Sequence, residues 1–509
     1  MTTREHTEEP PPGLGGGNLA RTLAAAAAAW PGRVALTHGG AASTFADLDR
    51  RSAQAAAMLA ARGVAPGDRV ALQLPNVPAF VDLYFGVLRL GATVVPMNPL
   101  LRGHESGQAV SDSQARLVVA WHEAEAPAGA DVIAVEDRHG AGLYDGLDPA
   151  AGAGVADVDP DQTAVILYTS GTTGRPKGAE LTHRNLGLNT REVIRTYAIV
   201  ASDVFLGVLP LYHSFGQTLT LNAAVAMGAR LALLTRFEAQ AAAELVERER
   251  VTILMGVPTM LAGIAAVARE PAAFASVRIC VSGGAPLPRE QMDDFEQATG
   301  AVVLESYGLS ETSPAATLNG PGARRVGSVG RPIDGVEVRI LDEHGQVVPP
   351  DETGQIAIRG HNVMKGYWRR PDATAEAITP DGWFLTGDLG RVDEDGFVYV
   401  VGRLKDLIIR GGLNVYPREV EEVLHRHPDV VEAAVVGVPD ARLGEEVGAA
   451  VVLRDGATTD LAELREWVRA RVAPYKYPRR LWRLDELPKG PTGKILKRAI
   501  QTPAKEVAS

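Results

Sequence analysis

Tyr168-Thr-Ser-Gly-Thr-Thr-Gly-Arg-Pro-Lys-Gly178 is the stretch on which the reading of this chain turns. The residues before it, Thr163-Ala-Val-Ile-Leu167, are apolar and β-branched, which predicts a buried strand. The chain then leaves that strand and at once becomes small, polar and flexible. A loop of this kind has the chemistry of a phosphate cradle. Glycine allows close approach and positive φ, backbone N–H groups converge, and Ser and Thr add donors. Lys177 can balance phosphate charge. The pattern is not G-x-x-x-x-G-K-[ST], because no Gly-Lys-Ser/Thr follows. On composition alone an ordinary flexible surface loop also fits.

Outward from that loop, the chain has the length of a large domain plus a small one, or of about three domains. Its 509 residues carry a net charge of −11, with 46% hydrophobic and 22% charged residues, which is ordinary globular composition. An excess of acid argues against nucleic acid or an anionic membrane surface as the main partner. Cys280 is the sole cysteine, so neither an intramolecular disulfide nor a multi-cysteine metal site can form, which suits a reducing cytoplasm. Within Val277-Arg-Ile-Cys-Val281 it reads as a small hydrophobe in a strand. Residues 1–17, rich in Pro, Gly and charge, are expected to be a disordered tail and not a signal peptide. No run of 18 strongly apolar residues predicts a membrane span.

From about residue 18 to 402 helical stretches alternate with short apolar strands. Examples are Thr44–Arg62 followed by Arg69-Val-Ala-Leu-Gln-Leu74, then Ala92-Thr-Val-Val-Pro96, Thr252-Ile-Leu-Met255 and Ala301-Val-Val-Leu304. This alternation predicts α/β layers with largely parallel sheets. Between about 326 and 400 short alternating strands with Gly and Asp turns predict a small β-barrel or hairpin array closing the large part. From 403 to 509 a compact α+β piece is expected. A helix would start at Pro417, a strand would span Val430–Val438, and a second helix would span Leu461–Val472.

Further motifs follow the loop in order: Leu181-Thr-His-Arg-Asn185, Tyr307-Gly-Leu-Ser-Glu-Thr312, Gly382-Trp-Phe-Leu-Thr-Gly-Asp388, Gly402-Arg-Leu-Lys-Asp406 and Pro491-Thr-Gly-Lys494. Taken singly, each is a loop with ordinary surface charges. Together with Tyr168–Gly178 they resemble the adenylate-forming superfamily of acyl-CoA synthetases, firefly luciferase and peptide-synthetase adenylation domains. The nearest likeness is to bacterial fatty acyl-CoA ligases. The resemblance implies a large N-terminal domain of two βα-layered sheets plus a small β-barrel, and a small mobile C-terminal lid.

The resemblance also implies roles. Thr169, Ser170, Gly171, Thr172, Thr173, Gly174, Lys177 and Ser310 would meet the phosphates of ATP. Glu311, with Thr169, would hold Mg²⁺, which needs few protein oxygens when phosphates and water supply the rest. Gly284, Ala285 and Pro286, with Glu305, Ser306, Tyr307 and Gly308, would line the adenine, Tyr307 stacking on it. Asp388 would accept from the ribose hydroxyls and Arg403 would reach the same sugar. His213 would position the acyl carboxylate. Lys494 would be carried by the lid into the cleft, with a hinge at Lys405. Gly411, Gly412 and Leu413 would approach the pantetheine of CoA, although a tight turn between strands is an equal reading of those glycines.

The implied activity is an ATP-dependent carboxylate–CoA ligase acting through an acyl-adenylate, with ATP, Mg²⁺ and CoA as its small-molecule set and a homodimer as a possible assembly. The stretches Leu209–Thr220 and Met255–Met260 are apolar and carry no cation beyond His213, which disfavours dicarboxylates, and the resemblance to bacterial fatty acyl-CoA ligases implies medium- or long-chain fatty acids. Aryl acids of the cinnamate or benzoate type stay open. So does a fatty acyl-AMP ligase that loads a separate carrier protein, although no carrier segment is expected in the few residues after Lys494.

Overall fold

The computed structural model describes residues 14–140, 142–152, 154–169, 176–490 and 495–503. Two large sheets dominate it. In one, the parallel strands Arg69–Gln73, Thr93–Pro96, Leu117–Trp121, Val132–Val135 and Thr163–Thr169 are bordered by the antiparallel strands Lys177–Thr182 and Gly366–Tyr367. The other has nine strands. Its parallel centre runs through Val303–Gly308, Ile279–Ser282, Ile253–Gly256, Val204–Gly207, Arg230–Leu233 and Val34–His38, with antiparallel strands at both edges. Fully buried parallel strands need no alternation, which is why they read as continuous apolar runs.

The helix Pro78–Arg89 is buried at every residue, and its side chains join a hydrophobic core that draws on both sheets. Proline begins it, since its first N–H would find no helical partner. Helices Phe45–Ala61 and His183–Tyr197 begin at Thr44 and Thr182, whose hydroxyls accept from the N–H groups of Asp47 and Asn185. Cys280 is buried in the strand Ile279–Ser282, as its setting predicts.

Of the two forms expected between 326 and 400, the hairpin array is the one formed. Val336–Leu341, Gly354–Gly360, Phe384–Val392 and Val398–Arg403 pair antiparallel in that order, and no ladder among the described residues joins the first to the last. The chain packs earlier than expected. Leu14 lies against the large core, and Asn18 donates to Leu88 O at 2.7 Å.

Beyond residue 407 a separate sheet forms in the order Leu413–Val415, Ile408–Arg410, Gly444–Leu453, Val430–Asp440. Arg480–Arg483 lies parallel to Gly444–Leu453. Helices Pro417–His425 and Leu461–Arg469 bury Val420, Val423, Leu424, Leu464 and Val468 against it. Its apolar clusters contain only residues from 408 onward, and the clusters of the preceding sheets contain none of these. A large N-terminal part and a small C-terminal α+β part are thus present, as the fold class predicts.

Candidate functional site

Open α/β sheets offer ligand sites beyond the carboxyl ends of their strands. Thr163–Thr169 and Val303–Gly308 both end in motif residues, and what surrounds them forms two corners.

In the first corner, Asp388 sits opposite Arg403 across the antiparallel pair Phe384–Val392 and Val398–Arg403. Arg403 Nε lies 3.2 Å from Asp388 Oδ1, and the Tyr307 hydroxyl donates to Oδ2 at 2.8 Å. Burial, then the Asp388 carboxylate, pushes the Tyr307 phenol well above its usual range, so it stays a donor. The three residues expected around adenosine are therefore in direct contact. Glu305 and Ser306 precede Tyr307 on the same strand. Ser306 Oγ donates to Ser282 O at 3.2 Å. Glu305 is buried, accepts from Gly327 N–H at 3.2 Å, and has its pKa lifted to about 7 by desolvation, partly offset by Arg418.

Gly283 and Gly284 follow the neighbouring strand Ile279–Ser282. A Cβ on Gly283 would stand 2.7 Å from Ser306 Oγ and 3.2 Å from the Phe215 ring, so the backbone here passes too close to its neighbours for a side chain. Gly284, Ala285 and Pro286 continue that turn.

The second corner is built on Glu311, in the single turn Ser310–Thr312. Its Oε1 accepts from the Tyr367 hydroxyl at 3.0 Å and faces Thr169 Oγ1 at 3.4 Å. Thr169 pairs with Lys177 across the stem of the glycine-rich loop, and the Lys177 ammonium lies 5.1 Å from the Tyr367 ring centroid. Ser310 Oγ is 3.5 Å from Ser214 Oγ, which joins this corner to the His213 turn. His213 Nδ1 accepts from Phe215 N–H at 3.3 Å, so its proton in the neutral ring sits on Nε2. Ser170, Gly171, Thr172, Thr173 and Gly174 lie outside the described residues.

A hard cation fits the second corner. One carboxylate and one hydroxyl converge there, and the described residues hold no group of three or more His, Cys, Asp or Glu that would build an all-protein cage.

The residues expected of the C-terminal part lie on or after the last strand of the hairpin array. Lys405, exposed on the turn Leu404–Asp406, has its ammonium pKa lowered by partial desolvation and then by Arg403. Gly411 and Gly412 form a two-residue hairpin between Ile408–Arg410 and Leu413–Val415, with φ of +58° and +82°, as a turn with two left-handed residues requires. Leu413 beside it is 47% exposed. Lys494 lies outside the described residues. Its flanks are anchored: Lys489 and Ile495 bridge antiparallel, and Leu496 N–H donates to Pro488 O at 2.8 Å.

Tyr367, Trp368, Arg370 and Asp112 were not foreseen. Asp112 accepts from the Tyr168 hydroxyl at 2.8 Å and pairs with Arg370 at 2.7 Å, while its backbone carbonyl accepts from Trp368 Nε1–H at 3.1 Å. The only sequence signal was an aromatic pair after Gly366, which a core also explains.

Residues 23–368 match the AMP-binding enzyme family, and residues 419–494 match the AMP-binding enzyme C-terminal domain. The chain belongs to the AMP-binding enzyme family. Members similar to it include a feruloyl-CoA synthase of Amycolatopsis sp, 40% identical over 477 residues that span 92% of this chain and 96% of the relative. A long-chain-fatty-acid–CoA ligase of Bacillus subtilis is 36% identical, covering 95% and 94%. ATP-bound MatB from Rhodopseudomonas palustris superposes with a TM-score of 0.88 at 35% identity, covering 94% of this chain and 97% of that one. By class this AMP-binding enzyme is an AMP-forming acyl-CoA synthetase, a carboxylate–CoA ligase working through an adenylate, with ATP and CoA as substrates of the class. Among the described residues no helix is long and apolar enough to cross a membrane.

Proposed function

We infer that this enzyme activates an apolar monocarboxylic acid in the cytoplasm and passes it to CoA. A carboxylate is a poor electrophile because its oxygen is a poor leaving group. Attack of the carboxylate on the α-phosphate of ATP forms an acyl–phosphate bond and expels pyrophosphate. A thiol then attacks the acyl carbon and AMP leaves.

The observation that carries this reading is the pair of corners either side of Tyr307–Thr312. Asp388 is a fixed acceptor for ribose hydroxyls, with Tyr307 beside it for the adenine and Arg403 for the sugar. Lys177, Thr169 and Ser310 face the phosphates with the glycine-rich loop. Glu311 and Thr169 would hold Mg²⁺, which when bound neutralises phosphate charge. Lys494 supplies a positive charge where negative charge develops in adenylation. Residues 18–402 form the catalytic body and 403–509 the lid. Rotation about Lys405 withdraws Lys494 and brings Gly411, Gly412 and Leu413 to the thiol channel for the second step.

For the acid, two readings have separate support. The apolar side chains of Tyr212, Phe215 and Met260, which lie in or against the large hydrophobic core, suit a medium- or long-chain fatty acid, and a long-chain-fatty-acid–CoA ligase is among the relatives. The rings of Tyr212 and Phe215, together with the 40% identity to a feruloyl-CoA synthase, support an aryl acid.

A panel of fatty, aryl and dicarboxylic acids, assayed for AMP release with and without CoA, tests the proposal. The expected result is CoA-dependent AMP release with one apolar class. ATP consumption with no acid in the panel would sink the reading, and full turnover with a carrier protein but not CoA would replace the acceptor.

A further inference from the structure

The strand Gly366–Tyr367 lies antiparallel to Lys177–Thr182, with Tyr367 opposite Ala179, and so borders the returning arm of the glycine-rich loop. Two further backbone bonds fasten it there, from Lys365 N–H to Glu180 O at 2.9 Å and from Trp368 N–H to Gly178 O at 2.7 Å. Upstream, Met364 N–H donates to Glu311 O at 2.8 Å. Downstream, Trp368 and Arg370 grip Asp112, which accepts from Tyr168 on the outgoing arm. One short segment thus touches both arms of the loop and the turn that carries Glu311.

Tyr367 uses both ends of its side chain at the centre of this segment. Its hydroxyl donates to Glu311 Oε1 at 3.0 Å, and its ring faces the Lys177 ammonium at 5.1 Å. Among the described residues neither Glu311 nor Lys177 forms an ion pair. A carboxylate and an ammonium that serve one phosphate group gain nothing by pairing with each other, since the pair would present no net charge to metal or phosphate. A phenol answers both without cancelling either. Its O–H satisfies the carboxylate, and its π face attracts the cation only weakly, so a phosphate can still draw it away.

We propose that Tyr367 is a positioning residue of this enzyme, keeping Glu311 and Lys177 oriented but unpaired so that each stays available to the magnesium–triphosphate group. This rests on the nucleotide reading above.

Calorimetric titration of the full chain with ATP, with Mg²⁺ and with EDTA, tests it on wild type, Tyr367→Phe and Tyr367→Leu, with melting temperatures alongside. Tyr367→Phe keeps the ring and loses the hydroxyl, so affinity should fall about tenfold with Mg²⁺ and stay within about twofold without it. Tyr367→Leu removes the seat of Lys177 as well, so affinity should fall about threefold or more even in EDTA. Equal affinities for Tyr367→Phe and wild type in Mg²⁺ would overturn the proposal and leave the nucleotide reading standing. So would equal weakening with and without metal, or a lowered melting temperature with unchanged affinity, either of which assigns Tyr367 to packing. Wild type that binds no ATP would overturn both.

Discussion

The two corners of the site hold a carboxylate in the same way and leave it in different states. Asp388 and Glu311 each accept a hydrogen bond from a tyrosine hydroxyl, at 2.8 and 3.0 Å. Asp388 is 6% exposed and is met by the Arg403 guanidinium. Glu311 is half-buried, and among the described residues only hydroxyls reach its carboxylate. A carboxylate already matched by a cation is a neutralised acceptor, suited to uncharged hydroxyls. One solvated by hydroxyls keeps its charge outstanding, suited to a cation that arrives with the substrate. The job follows from the neighbour, not from the residue type.

Substitutions can break this contrast. Glu311→Gln removes the outstanding charge and should lower ATP–pyrophosphate exchange about a hundredfold, with little change in melting temperature. A loss of less than tenfold would mean that no cation depends on it. Asp388→Asn keeps the shape and should raise the KM for ATP about tenfold while kcat stays within a few-fold. If kcat collapses instead, the corners are not distinct.

Glu305, on the same strand as Tyr307, shows what happens to a buried carboxylate with neither helper in contact. Its pKa is raised from 4.5 to about 7, so the folded state favours the protonated form. The associated stability is complete below pH 4.5 and lost as pH rises through about 7. Glu305→Gln should therefore melt about 1–3 °C above wild type at pH 8, with the gap closing towards pH 4.5. A gap that does not vary with pH would refute the burial argument. The smallest effect is expected for Arg403→Gln. Its partly exposed pair with Asp388 contributes under about 1 kcal/mol in chemical denaturation. A larger loss would make the Asp388 corner a stability element.

Much of this could be read from the chain. Buried parallel strands announce themselves as apolar runs, so the layering and the glycine-rich loop at a strand end were legible. The ordered motifs brought Tyr307, Asp388, Arg403, Glu311, Thr169 and Lys177 to the page, and contacts join the first three in one corner and the last three in another. Tyr367 and Asp112 were not legible. The Tyr367–Glu311 bond joins residues 56 apart, and the Arg370–Asp112 pair joins residues 258 apart. Such partners are chosen by sheet order, which leaves no local periodicity. The early packing of Leu14 and the open order of the hairpin array were set by tertiary contacts in the same way.

Arg418, in the first turn of the helix Pro417–His425, donates back to Val400 O, and Arg426 stands 3.8 Å from Glu290. Among the described residues no hydrophobic cluster spans the two parts, and the contacts between them include charged groups near water. Exposed ion pairs of this kind weaken as salt rises, whereas apolar seams tighten in strongly salting-out solutions. The seam between the large and small parts therefore includes a latch that electrolyte loosens, and ionic strength becomes a dial on its hold.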